Sequence, residues 1–151
     1  MIDDSFTGGL LHDLGLVILA TRMPKELGDA LRLAKAEQIS LFEAEKRVFQ
    51  STHDEAGGYL LELWGLPDPL VESVTYHDYP SVVPEKNYHS AVPEHGFTPL
   101  TAVHVADYFC EDERAKAYGA AEAEADMAFL DRMGFTEKLE EWWELCLREE
   151  D

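Results

Sequence analysis

The chain has 151 residues, 46% of them hydrophobic, which is sufficient for one domain with a buried core. Its formal net charge of −19 excludes a surface that attracts phosphate backbones or acidic lipids, so we expect neither nucleic acid nor a membrane as a partner. No apolar run reaches the ~20 residues that span a bilayer, and no secretory signal is recognisable, so we expect a cytoplasmic protein.

The two cysteines, Cys110 and Cys146, lie in separate predicted helices and lack the Cys-x-x-Cys spacing of redox and zinc motifs. Nothing else in the composition indicates an oxidising compartment. We therefore expect two buried free thiols rather than a disulfide.

The first half of the chain is patterned as helices separated by short turns. Apolar residues at steps of three and four predict a first helix over residues 4–20, with a single apolar stripe formed by Phe6, Leu10, Leu11, Leu14, Val17 and Ile18. A second helix is predicted over residues 25–36. A third is predicted over residues 41–49, where Ser40 and Glu43 have the spacing of a capping box.

Two further helices follow in the same half. The fourth is predicted over residues 53–64, because Thr52 and Glu55 repeat the capping-box pattern. The fifth, over residues 68–77, begins with prolines that the first turn of a helix tolerates.

The second half holds a long loop and three more predicted helices. Residues 78–97 contain three prolines and predict a loop of ~20 residues, for which a functional role and a tolerated insertion are equally open. Helices are predicted over residues 98–110, 120–133 and 136–148. No segment alternates as a strand does, so the predicted fold class is all-α, a multi-helix bundle that spans residues 1–151 as a single domain.

Five positions could form a cation site, because imidazole nitrogen and carboxylate oxygen are donors that suit divalent transition metals. They are His12 and Asp13, which adjoin in the apolar first helix, together with His53, His77 and Asp107. Each also has a structural explanation. His53 could cap its helix, and His77 could favour the negative end of a helix dipole. Asp107 could hydrogen-bond a core histidine, either His104 or His12.

A series of short motifs runs through the chain in a fixed order. FTGGLLHDLG occupies residues 6–15, HDEAGGYLL residues 53–61 and LWGLP residues 63–67, and shorter motifs lie at residues 71–77, 100–107 and 130–135. The series resembles the HD superfamily and, more narrowly, its HDOD (HD-related output) domain. The resemblance covers nearly the whole chain and implies an HD-like helical bundle.

The resemblance also implies a ligand set. In catalytic HD phosphohydrolases an upstream histidine, a His-Asp pair and a later aspartate hold the metal. His12, Asp13 and Asp107 match the last three of those positions. His53 and His77 resemble histidines that the HD-GYP phosphodiesterases add.

Three departures from that ligand set weaken the expected metal site. The upstream histidine would precede residue 1, Leu16 replaces a lysine common in active HD-GYP enzymes, and Asp78 stands where a second histidine would be. Three ligands without a fourth would hold a cation weakly, and phosphate chemistry needs positive charge near the transition state.

Three functions remain open on the resemblance. HDOD domains are generally viewed as signalling modules without established catalysis, so we expect a non-catalytic module of bacterial signal transduction that acts through protein contacts and needs no cofactor. The alternative is a metal-dependent phosphohydrolase acting on nucleotides or cyclic dinucleotides, with iron, manganese or zinc at the five positions. A regulator that binds a metal without catalysis lies between the two.

The resemblance finally implies a partner. HDOD domains carry an N-terminal helical half that packs on the helix bearing the His-Asp pair, and these 151 residues contain no counterpart to it. We therefore expect uncovered apolar surface on the predicted first and fourth helices, available to a second copy of the chain or to a signalling partner. The alternative is that these residues are a fragment of a longer signalling protein.

Overall fold

The computed structural model of the chain describes residues 2–83, 96–118 and 124–148, and the regular structure in those ranges is helical. The prediction of an all-α fold is confirmed. The helices in chain order are α1 (Ile2–Leu11), α2 (Leu14–Arg22), α3 (Pro24–Glu37), α4 (Leu41–Phe49), α5 (His53–Leu63), α6 (Asp68–Thr75), α7 (Pro99–Tyr118), α8 (Met127–Met133) and α9 (Leu139–Arg148). Short 3-10 turns cover Pro80–Val82 and Thr136–Lys138.

The predicted first helix over residues 4–20 is wrong, because the helix breaks at His12 and Asp13 into α1 and α2. The Nδ1–H of His12 donates to the carbonyl of Gly9 at 2.7 Å. In a continuous helix that carbonyl would accept from the N–H of Asp13. The N–H of Leu16 bonds to the carbonyl of Asp13 at 3.0 Å as α2 begins.

Both predicted capping boxes mark real helix starts. The Oγ of Ser40 accepts the N–H of Glu43 at 3.1 Å, which starts α4. The Oγ1 of Thr52 accepts the N–H of Glu55 at 3.3 Å, and the Glu55 carboxylate accepts the Thr52 N–H at 3.4 Å in return. This reciprocal cap places His53 at the first position of α5.

The later helices differ from their predicted bounds. α7 continues to Tyr118, past the predicted end at residue 110, because residues 111–118 are mostly good helix formers. α8 begins at Met127 instead of residue 120, after the N-cap Asp126, whose carboxylate accepts the N–H of Phe129 at 3.1 Å. The predicted start of α8 falls at residues 119–123, which lie outside the described part of the chain.

The predicted loop over residues 78–97 is described only at its ends. It begins with the 3-10 turn at Pro80–Val82, and residues 84–95 lie outside the described part of the chain.

Close glycine contacts hold the helices together beside the break between α1 and α2. A Cβ on Gly15 in α2 would lie 1.8 Å from the carbonyl oxygen of His53, and a Cβ on Gly58 in α5 would lie 1.9 Å from the Oγ1 of Thr75. α2 therefore packs directly on α5, and α5 on α6. α1 packs on α6 and α7, so the break between α1 and α2 lies among α5, α6 and α7.

A separate apolar core lies around α7 and α8. Its buried members are Val83, Leu100, Val105, Phe109, Phe129, Leu130 and Met133. Trp142 and Trp143 of α9 pack against this core, whereas Trp64, just after α5, is 63% exposed.

The prediction of buried thiols is wrong. Cys110 and Cys146 are both free, but both are exposed. Cys110 directly follows the buried Phe109 on α7, so the turn of the helix directs it away from the core.

None of the helices in the described ranges combines the length and the apolar composition that crossing a membrane requires.

Candidate metal centre

The fold brings the five predicted site residues together from four places in the chain. His12 and Asp13 lie at the break between α1 and α2, His53 starts α5, His77 follows α6, and Asp107 lies within α7. The Nε2 of His12 is 3.3 Å from the Oδ1 of Asp107 and 3.4 Å from the Oδ2 of Asp13. The ring of His77 stands 5.0 Å from the ring of His12 and 5.4 Å from that of His53, between centroids.

Two aspartates that the sequence analysis did not propose as ligands join this group. The Oδ1 of Asp54 is 3.2 Å from the Nε2 of His53, and the Oδ1 of Asp78 is 3.7 Å from the Nε2 of His77. We call the seven residues together the histidine–aspartate cluster; they are His12, Asp13, His53, Asp54, His77, Asp78 and Asp107. The sequence does contain a signal for the two additions, because each cluster histidine is directly followed by an aspartate.

The three cluster imidazoles share one orientation. Each Nδ1 faces an acceptor that fixes its proton: the carbonyl of Gly9 for His12, the carboxylate of Glu45 for His53 at 2.8 Å, and the carbonyl of Val74 for His77 at 2.9 Å. Each Nε2 therefore points toward the aspartates of the cluster. In metal sites, ligating histidines are held in this way by an acceptor on the ring nitrogen that does not bind the metal.

The cluster favours positive charge at His12. Its contacts with Asp107 and then Asp13 raise the pKa of His12 to about 11. The same contact with His12 lowers the pKa of Asp13. A proton on His12 is thus stabilised by two carboxylates, and the same carboxylates would stabilise a metal cation in that space.

In the buried part of the cluster, burial and neighbouring charges together shift the pKa values of the side chains. Burial favours the neutral ring of His53, but the hydrogen bond to Glu45 and the charge of Asp54 outweigh it and raise the pKa to about 9. Burial raises the pKa of Asp54 to about 7 and that of Asp78 well above its usual range. Burial also lowers the pKa of His77 to about 4, so this ring stays neutral with an Nε2 lone pair available.

Two overlapping sets of donors have the spacing of a metal site. In the first, one ligand atom each from His53, Asp54, His77 and Asp78 lie within 4.8 Å of one another. In the second, the same holds for His12, Asp13 and His77. The first set has four candidate donors, because Asp54 and Asp78 join two histidines of the ligand set that the resemblance implies.

His104, the alternative partner considered for Asp107, uses both of its ring nitrogens in other hydrogen bonds. The Nδ1–H of His104 donates to the carbonyl of His77 at 2.6 Å, and its Nε2 accepts the N–H of Asp126 at 3.0 Å. Of the two core histidines considered, His12 is therefore the one paired with Asp107.

Comparisons with known proteins support the resemblance. The sequence model of the HDOD domain matches residues 1–80, a range that includes every cluster residue except Asp107. A protein of Treponema pallidum (strain Nichols), described as uncharacterized, is 28% identical over 86 residues. That similarity covers 57% of this chain but 17% of the relative, so the chain spans only a small part of that protein's length. No solved structure matches the chain.

Proposed function

The chain belongs to the HDOD domain family, and on that premise we propose that it is a cytoplasmic module of bacterial signal transduction. In this proposal it acts through protein contacts and holds a divalent cation in the histidine–aspartate cluster without catalysing a reaction. Of the three functions left open by the sequence, this is the metal-binding regulator.

One observation carries the proposal: the three imidazoles are held by their Nδ1 atoms so that their Nε2 atoms face four aspartates. A set of nitrogen and oxygen donors like this suits zinc, manganese or iron better than calcium or magnesium, which prefer oxygen alone. The members that would hold the ion are His53, Asp54, His77 and Asp78, or His12 and Asp13 with His77.

The cluster fits a cation chemically. The Oδ1 of Asp54 is buried, and although the Nε2 of His53 lies 3.2 Å away, no donor of the described residues is aligned to hydrogen-bond it, which is costly for a carboxylate. The raised pKa of His12 reflects the same excess of negative charge. A bound divalent cation would supply the positive charge that these carboxylates lack and would link the break between α1 and α2 to α5, α6 and α7.

The charge of the site supports regulation over catalysis. In the described part of the chain, no lysine or arginine pairs with a carboxylate of the cluster. With the buried Glu45, five carboxylates surround three imidazoles. A phosphoester would have to approach this negative charge, while the protonated imidazole of His12 is already paired with Asp107 and Asp13 and leaves little positive charge to stabilise its transition state.

Elemental analysis of the purified chain tests cation binding. We expect near-stoichiometric zinc, manganese or iron, and a melting temperature that falls when a chelator removes it, because a ligand that binds only the folded state stabilises it. His12→Ala and the milder Asp13→Asn should lower the metal content. Asp131→Asn, at an exposed position of α8, is the control and should retain it. Metal-free protein whose melting is unchanged by added metal or chelator would contradict the proposal.

A metal-dependent phosphohydrolase acting on nucleotides or cyclic dinucleotides is the second candidate. One observation favours it: the side chain of Asp13 is 43% exposed, so a cation at this edge of the cluster would be open to water and to a phosphate. Turnover of a chromogenic phosphodiester by the metal-loaded chain, lost in Asp107→Asn, would establish this activity. Absence of turnover with each of the three metals would favour the regulator.

The protein contacts are proposed on the exposed face of α1. Ile2, Phe6 and Leu10 are spaced four residues apart and so share one face, and Phe6 and Leu10 are 74% and 73% exposed. Asp3 and Asp4 begin the same helix, and the first 21 residues contain no lysine or arginine. This face suits a partner with apolar side chains and a basic rim better than a second copy of a chain whose net charge is −19.

A further inference from the structure

Glu45 is a fully buried carboxylate on α4, a helix that contributes no residue to the histidine–aspartate cluster. Its Oε2 accepts two hydrogen bonds from the same residue, one from the backbone N–H of His53 at 2.9 Å and one from the ring Nδ1–H at 2.8 Å. Glu45 therefore holds both the start of α5 and the imidazole that projects from it.

The hydrogen bond between Glu45 and the Nδ1–H of His53 determines where the Nε2 of that ring lies. Because the Nδ1–H donates to Glu45, the Nε2 of His53 faces the cluster, 3.2 Å from the Oδ1 of Asp54 and 3.7 Å from the Oδ1 of Asp13. A carboxylate on Nδ1 also increases the basicity of Nε2, which strengthens it as a metal ligand.

Capping of α5 alone does not explain why a carboxylate is buried at position 45. Thr52 and Glu55 already form a complete capping box at this helix start. The N–H of His53 needs one further acceptor, which a neutral side chain could provide, whereas burying a carboxylate costs several kcal/mol unless it is well paired. The contact at which a carboxylate differs from a neutral acceptor is the one to the imidazole, because a carboxylate on Nδ1 makes Nε2 a stronger metal ligand.

We propose that Glu45 is a positioning residue for the cation site: it fixes the tautomer and the orientation of His53 so that Nε2 is presented to the metal. The inference rests on the cation binding proposed above. The nearest sequence clue is weak, because a glutamate in an amphipathic helix is ordinarily exposed.

The test compares metal affinity among matched variants of the full chain. Zn²⁺ affinity is measured by competition with a chromophoric chelator, and Co²⁺ binding by its visible absorption spectrum. Glu45→Gln keeps the shape and removes the charge, and Glu45→Met replaces the buried carboxylate with an apolar side chain that packs in a similar volume. Glu43→Gln makes the same chemical change at an exposed position of the same helix and serves as the control.

We expect both Glu45 variants to bind Zn²⁺ about 10- to 100-fold more weakly than the wild-type chain, with an altered Co²⁺ spectrum. Glu43→Gln should match the wild type. If Glu45 were only structural, the melting temperature of the metal-free variants would fall while affinity and spectrum stayed the same, which would overturn the inference.

A measurement on the wild-type chain keeps the inference testable if neither variant folds. In the Zn²⁺-loaded chain, the ¹⁵N shifts of His53 should show a protonated Nδ1 and a metal-bound Nε2, and the reverse assignment would overturn the role of Glu45. Failure of the wild type to bind Zn²⁺ and Co²⁺ would instead refute cation binding itself, so the two failures are distinct.

Discussion

His104 and Asp126 show how a buried histidine and aspartate can serve structure alone. Both ring nitrogens of His104 are used by backbone groups, the carbonyl of His77 and the N–H of Asp126. Burial lowers the pKa of His104, which keeps the ring neutral as the second of these bonds requires. No ring nitrogen is left for a cation, and this separates His104 from the three imidazoles of the cluster.

Asp126 should contribute pH-dependent stability. Its Oδ2 accepts the N–H of Ser81 at 2.7 Å and its Oδ1 the N–H of Phe129, so it joins the turn after α6 to the start of α8. Burial alone would raise the pKa of Asp126, but these hydrogen bonds lower it below its usual 3.8. At neutral pH, Asp126→Ala should lower the free energy of unfolding by about 1–2 kcal/mol.

The sign of the pH effect follows from the lowered pKa. The stabilisation from Asp126 is complete above about pH 5 and is lost as the pH falls through 3.8 to the folded-state pKa, because protonation then removes the charged acceptor. Urea unfolding from pH 7 to pH 3 should show the wild type and Asp126→Ala converging at low pH. A gap between the wild type and Asp126→Ala that stays constant over this pH range would contradict the assignment.

At the scale of elements, the position of the cluster depends on how closely α2 approaches α5. Gly15 follows the break at His12 and Asp13 by two residues, and its backbone lies against the first turn of α5. A Cβ there would meet the carbonyl carbon of His53 at 2.6 Å and the amide nitrogen of Gly57 at 3.0 Å. Backbone atoms cannot rotate away as a side chain can, so the two helices would have to separate.

Gly15→Ala should therefore destabilise the chain by about 3 kcal/mol, at the upper end for overpacking. It should also weaken metal binding, because Asp13 and His53 would move apart. Gly9→Ala is the matched control: nothing lies within 4 Å of a Cβ at Gly9, so alanine should be neutral or stabilise α1 by up to about 1 kcal/mol. Thermal unfolding measures the change in stability of each variant. Equal changes for Gly15→Ala and Gly9→Ala would argue against the close approach of α2 and α5.

At the scale of the whole molecule, charge and exposed apolar surface act in opposite directions. The net charge of −19 opposes self-association at low ionic strength, whereas the exposed side chains of α1 favour contact with something apolar. A partner whose surface is both apolar and basic would cover the exposed side chains of α1 and would be attracted by the negative charge. We therefore prefer such a partner to a homodimer.

We expect the wild-type chain to be monomeric at micromolar concentration and low salt, and to bind a hydrophobic fluorescent dye. The double variant Phe6→Ser with Leu10→Ser should reduce dye binding, while the free energy of unfolding changes by no more than about 0.5 kcal/mol per site, because both side chains are largely exposed. Sedimentation and dye titration measure the two quantities. A wild-type dimer would refute the choice of partner, and unchanged dye binding would show that α1 is not the apolar surface.

The sequence by itself determined the helical class, the starts of α4 and α5 and the identity of five cluster residues. These features are local: apolar periodicity, a capping residue with its partner three positions later, and a motif all lie within a few residues of one another. The exposure of the cysteines, the end of α7 and the start of α8 were missed, because each depends on what packs against the helix and not on its own sequence alone.

Only the tertiary structure decided which side chains meet. The break between α1 and α2 follows from the hydrogen bond between His12 and Gly9, and the entry of Asp54 and Asp78 into the cluster follows from the packing of α2, α5 and α6. Glu45 is the clearest case, since nothing near it in sequence distinguishes it from Glu43, the exposed glutamate of the same helix. Its role depends on a contact with a residue eight positions away across a helix boundary, and a contact of that kind is set by the folded backbone.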